Sequence, residues 1–129
     1  MRQTLPKSNI LRGYQSFSRV ISQGTSFQSN RLLCYCLVQP SSRPEVWIGF
    51  SVLKKWVPQA VRRNRIKRLM REAVRKHFGE VKQWAVQKNY KAKIVLSYKR
   101  KQDGETKQIA LHDIESEWLE LQRQLLTSL

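Results

Sequence analysis

Between Pro58 and Phe78 the chain carries two patterns at once, and few folds satisfy both. Ile66, Leu69, Met70, Ala73, Val74, His77 and Phe78 recur at i, i+3, i+4, i+7 and i+8, the stripe of a helix that packs on one side. A turn of about 100° per residue sends Asn64, Arg68, Arg71 and Arg75 to the opposite side, with Arg65 and Lys67 on the flanks. Eight of the fifteen positions from Arg62 to Lys76 are Lys or Arg, against the single carboxylate of Glu72. Like charges at i+3 or i+4 destabilise a helix by a few tenths of a kcal/mol per pair, so a face this cationic calls for a polyanionic ligand. Arg outnumbers Lys here, and a guanidinium can grip two phosphate oxygens at once.

The rest of the chain supports a core for that helix to cover. Its 129 residues are 40% hydrophobic, with four each of Trp, Tyr and Phe, which predicts one compact domain over 1–129, with residues 1–8 as a flexible tail. Lys and Arg number 25 against 9 Asp and Glu, a net charge of +16. The charge is unevenly placed: +5 over 1–45, +9 over 46–78, +5 over 79–104 and −3 over 105–129. A membrane-surface helix needs its apolar face for lipid, whereas this one needs it for packing; nucleic acid is the expected partner. No apolar run exceeds about eight residues, too short to cross a bilayer. The polar start MRQTLPKSNILRGYQSF does not read as a secretory signal, and the expected compartment is the cytoplasm.

Ile10, Leu11, Tyr14, Phe17, Val20 and Ile21 predict a first helix over Asn9–Ser22, stopped by Gly24. Arg31–Val38 and Val46–Val52 read as strands flanking a turn that holds Pro40 and Pro44, and the short connection predicts an antiparallel pair. A polar stretch follows the basic helix, then a strand over Ala92–Tyr98, a loop with an Asp103-Gly104 turn, and a last amphipathic helix over His112–Leu126. Asp113, Glu115 and Glu117 lie in its first turns, where the macrodipole favours anions.

Catalytic chemistry has no clear seat. Cys34 and Cys36 share one face of a strand without metal-ligand spacing and read as buried thiols. His77 reads as a partly buried histidine with a partner and His112 as a helix cap. The carboxylates from Asp113 to Glu120 read as partners for nearby cations. Nucleophile elbow, P-loop, dinucleotide and zinc-protease motifs are all missing, so neither catalytic nor metal-ligating residues are expected.

Several segments together are more specific. Gly49-Phe50-Ser51-Val52, Lys54-Lys55, Ala60-Val61, Arg63-Asn64-Arg65-Ile66-Lys67-Arg68 and Arg71-Glu72-Ala73 follow one another in an order and spacing that resemble the protein subunit of bacterial ribonuclease P. Phe17, Arg19-Val20, Gly24 and the Leu33–Leu37 strand with Tyr35 add to the likeness, which is clear over about residues 10–78. Ile21 departs from it where an aromatic is common, as do Leu53, Trp56 and Pro58 around the paired lysines.

The resemblance implies an α+β sandwich in the order helix, strands, basic helix, strand, helix, with a left-handed crossover between parallel strands. Crossovers are right-handed in about 98% of cases, so the general rule alone predicts the other hand. It implies a ribonucleoprotein that removes the 5′ leader of precursor tRNA, with the Mg²⁺-dependent chemistry in a large RNA subunit and no further protein partner required. Lys54, Lys55, Arg62, Arg63, Asn64, Arg65, Lys67, Arg68, Arg71 and Arg75 would then meet RNA, and Phe17, Ile21 and Tyr35 would line a cleft for the leader. The spacing of Phe17 and Tyr35 by itself favours core positions, and only the resemblance turns them toward a cleft. A ribosomal-type or DNA-binding protein is the alternative, with phosphate clamps and no leader cleft.

Overall fold

The computed structural model describes residues 9–99 and 109–129, so the Asp103-Gly104 turn and the 1–8 tail lie outside the described residues. Eight elements follow in order: α1 (Tyr14–Gln23), β1 (Thr25–Gln28), β2 (Leu32–Pro40), β3 (Glu45–Val52), α2 (Ala60–Arg75), α3 (Phe78–Lys88), β4 (Tyr90–Tyr98) and α4 (Leu111–Ser128). The architecture is α+β, with one four-stranded sheet in the order β1-β2-β4-β3.

Strand alternation divides the sheet into two faces. Cys34 and Cys36 of β2, Ile48 and Phe50 of β3, and Ile94 and Leu96 of β4 point to one face and are buried there. They pack against Ile66, Met70 and Val74 of α2, Phe78 and Trp84 of α3, and Ile114, Trp118 and Leu121 of α4. Each fully buried aliphatic side chain contributes ~1.5–3 kcal/mol by leaving water. Burial also pushes the Cys36 thiol up to about 12, and both cysteines are free. On the other face Tyr35, Leu37, Trp47 and Val95 meet α1 through Val20 and Phe17.

Several expectations are corrected. Ile10 and Leu11 are not helical: Ile10 bridges Ile48 in parallel, and the Leu11 amide donates to the Ile48 carbonyl at 2.8 Å. Gly13, with φ at 95°, then redirects the chain into α1. β2 and β3 do not pair with one another; β4 lies between them, antiparallel to β2 and parallel to β3. The short loop suggested a hairpin, but each strand gains more apolar partners from β4, whose residues from Ala92 to Leu96 are mostly buried. The parallel β3–β4 connection runs through α2 and α3, so the crossover is in place, and its hand stands as the expectation of the resemblance.

The basic helix ends at Arg75, short of Phe78, and the polar stretch that follows forms α3, a helix not expected there, which stops at Asn89 in a left-handed conformation (φ 57°). β1 was not expected; it adds an antiparallel edge, Thr25 opposite Cys36 through Gln28 opposite Leu33. His112 is exposed and lies inside α4; the cap is made instead by Asp113, whose Oδ2 accepts from the Ala110 amide at 2.9 Å. That bond holds the Asp113 carboxyl below its ordinary value. His77 has its partner, Glu115 Oε2 at 3.2 Å. Glu117 accepts from Ser29 Oγ, the Arg31 amide and Arg31 Nη1, each at 2.6 Å, and ties α4 to the β1–β2 turn.

Candidate nucleic-acid interface

α2 opens after Pro58 with no acidic residue in its first turn, and Arg62 and Arg63 stand there instead. Cations at the positive end of a helix dipole are unfavourable unless an anion joins them. The stripe lies where periodicity put it: Ile66, Met70, Ala73 and Val74 are buried, and the cations turn outward.

The expected contact residues fall into two sets. Arg63 Nη1 donates to the carbonyls of Val57 at 3.0 Å and Pro58 at 2.6 Å, holding the loop before its own helix. Arg65 Nη2 donates to the Ile109 carbonyl at 2.5 Å, and Arg75 is paired with Glu72 through contacts of 3.0 and 2.6 Å. Lys55 lies over the Trp56 ring at 5.1 Å and Arg71 over Phe50 at 5.6 Å, contacts that keep their charge on the surface. Among the described residues the side chains of Lys54, Arg62, Asn64, Lys67 and Arg68 make no hydrogen bond or ion pair, and Lys54, Asn64 and Arg68 are exposed.

Between α1, the end of β3 and α2 lies a cleft of about 670 Å³, lined by Phe17, Ile21, Phe50, Leu53 and Lys67 among others. Ile21 is 42% and Leu53 48% exposed, high values for large apolar side chains. Gly49 permits the close approach beneath, because a Cβ there would collide with the Phe17 ring. Phe17, Ile21 and Lys67 are thus brought together. Tyr35 is not in that lining; it packs beside Phe17 in the small cluster under α1. Leu53 was seen in the sequence only as a departure, and nothing in its local pattern signals that it walls a cleft. Trp47, Lys91, Lys93 and Arg19 gather at a second pocket that was not expected. Its signal was there in Lys91-Ala92-Lys93, whose alternation puts two cations on the face of Trp47.

No group of three His, Cys, Asp or Glu able to hold a metal occurs among the described residues, and none of their helices is long and apolar enough to cross a membrane.

Fold and surface together place the chain among small basic α+β proteins with a cation-rich helix beside a four-stranded sheet. It belongs to the ribonuclease P protein family: the family model described as Ribonuclease P matches residues 5–122. The ribonuclease P protein component of Chlorobaculum tepidum is 47% identical over 78 residues, 55% of this chain and 49% of that protein. That of Nitrosomonas eutropha is 46% identical over 74 residues, 57% of this chain and 61% of that one. These alignments span about half to three-fifths of the relatives' length. The fold is similar to the solved RNase P proteins of Staphylococcus aureus (TM-score 0.67, 20% identity, 91% of this chain and 94% of that one) and Thermotoga maritima (TM-score 0.67, 22% identity, 86% and 92%).

Proposed function

We propose that this chain acts as the protein subunit of a ribonuclease P ribonucleoprotein, binding the catalytic RNA through the cations of α2 and the 5′ leader of precursor tRNA in the cleft beside α1. The reading is carried by that cleft, where Phe17 and Ile21 of α1 face Lys67 of α2. Unpaired bases present π-faces and phosphates together, and stacking on an aromatic ring is worth ~1–3 kcal/mol per base without reading sequence. A mature tRNA has no such strand to place there.

Lys54, Arg62, Asn64, Lys67 and Arg68 are the residues ready to meet RNA, since Arg63 and Arg65 are engaged by backbone carbonyls. Each phosphate neutralised releases condensed counterions, so affinity should fall steeply with salt. On this reading Mg²⁺ is held by the RNA, where it would supply the activated water. This chain's part is to lower phosphate repulsion and hold the leader. No protein partner is required, and the cytoplasm is the compartment that tRNA maturation implies.

Reconstitution tests the reading. The full chain with a bacterial ribonuclease P RNA should bind precursor tRNA more tightly as the leader lengthens from one to ten nucleotides, and Phe17→Ala with Lys67→Ala should remove that gain. Equal affinity for both leaders in an assembled holoenzyme would overturn the leader cleft. Co-purification with ribosomal RNA or sheared DNA, without precursor cleavage, would overturn the subunit assignment.

A further inference from the structure

Arg19 and Ile21 stand about 160° apart around α1, so the helix has a second flank beyond the cleft just described. There the sheet carries a separate pocket of about 340 Å³, within the range of about 300–1,000 Å³ typical of small-ligand sites. One row of the register runs Leu37, Lys93, Trp47 across β2, β4 and β3, and the next places Lys91 beside Gln39. Residues two apart on a strand share a face, so Lys91 and Lys93 line the pocket with the partly buried indole, and Arg19 closes it from α1.

The charge is one-sided. No acidic residue lines the pocket, and among the described residues the side chains of Arg19, Lys91 and Lys93 make no ion pair. Glu45 is opposite Lys91 in the register but is not part of the lining. An acidic peptide would satisfy the cations and leave the indole unused. An unpaired nucleotide uses both, its base against the ring and its phosphates at the rim.

We propose that this pocket is a second single-strand RNA subsite, holding an unpaired nucleotide on Trp47 with its phosphates at Arg19, Lys91 and Lys93. It rests on the reading of the chain as an RNA-binding subunit, and it stands apart from the leader cleft in the residues it uses.

The test titrates the full chain with a fluorescent ten-nucleotide oligoadenylate and follows the Trp47 indole N–H by NMR. Trp47→Leu should weaken binding about ten-fold. Lys91→Gln with Lys93→Gln should do the same while leaving thermal unfolding unchanged, which separates binding from packing. The Trp47 signal should shift on saturation. Unchanged affinity in the lysine variant would overturn the subsite, whatever Phe17→Ala does. So would displacement of the RNA by oligoglutamate at equal charge, which would make the pocket a general anion site. If leader length has no effect in the holoenzyme while the Trp47 and lysine variants still bind the oligonucleotide weakly, the leader cleft fails and this subsite holds.

Discussion

The two faces of the sheet are made from alternate residues of the same strands and serve opposite ends. One is covered by α2, α3 and α4 and is dry from Leu32 to Tyr98. The other is crossed by one ten-residue helix, with an open pocket on each flank. On β3, Ile48 is fully buried while its neighbour Trp47 is partly exposed beside two lysines. A period of two lets one strand supply a sealed core from one side and an open, cation-lined surface from the other, so neighbouring substitutions should fail in different ways.

The comparison breaks most visibly at Trp118, fully buried on the sealed face. Trp118→Ala should cost about 3–5 kcal/mol in urea unfolding. Next comes Glu117, whose carboxylate satisfies three donors at the edge of the same core. Glu117→Ala should cost about 1.5–3 kcal/mol, because the Arg31 guanidinium and the two other donors lose their acceptor. On the open face, Gly49→Ala pushes a methyl against the Phe17 ring. It should cost about 1–3 kcal/mol in unfolding and abolish the dependence of tRNA binding on leader length, a loss that Trp118→Ala should not cause in protein that remains folded.

The smallest effect lies at the start of α4. The Asp113 carboxyl is held low by the Ala110 amide, so its stabilisation is complete above the ordinary carboxylate value and is lost as pH falls through the depressed one. Asp113→Asn should therefore unfold slightly more easily than the parent at neutral pH, and the gap should close on acidification, as thermal melts at several pH values would show.

Much of the sealed face is legible in the sequence. The alternation of Val46, Ile48, Phe50 and Val52 and the stripe of α2 each follow from local periodicity, and the buried residues are those the periods select. Pairing is different: that β4 divides β2 from β3 depends on contacts made across the whole chain. α3 escaped because Gly79, Glu80, Lys82 and Gln83 dilute its apolar positions, which meet the core only once the neighbouring helices are in place. Ile10 and Leu11 fit a helical period but are satisfied by Ile48, a partner that local spacing cannot name. In the interface, residue type gave the cations. Which of them are already engaged depends on loop carbonyls at Val57, Pro58 and Ile109, and this divides Arg63 and Arg65 from Arg68. Arg68→Ala should accordingly flatten the salt dependence of RNA binding more than Arg63→Ala does.

The placement of β4 at the centre of the sheet also sets a timetable for biosynthesis. Its last residue leaves the ribosome 46 residues after β3 is complete. At ~5–20 residues per second that is an interval of roughly 2–10 s. During it β2 and β3 have been made, yet the strand that pairs with both does not exist, and their apolar residues and unpaired edges face the cell. The nascent protein therefore has only the β1–β2 pair until its third quarter arrives to join β3 to it, and a variant that slows β4 should reveal itself first as aggregation during expression.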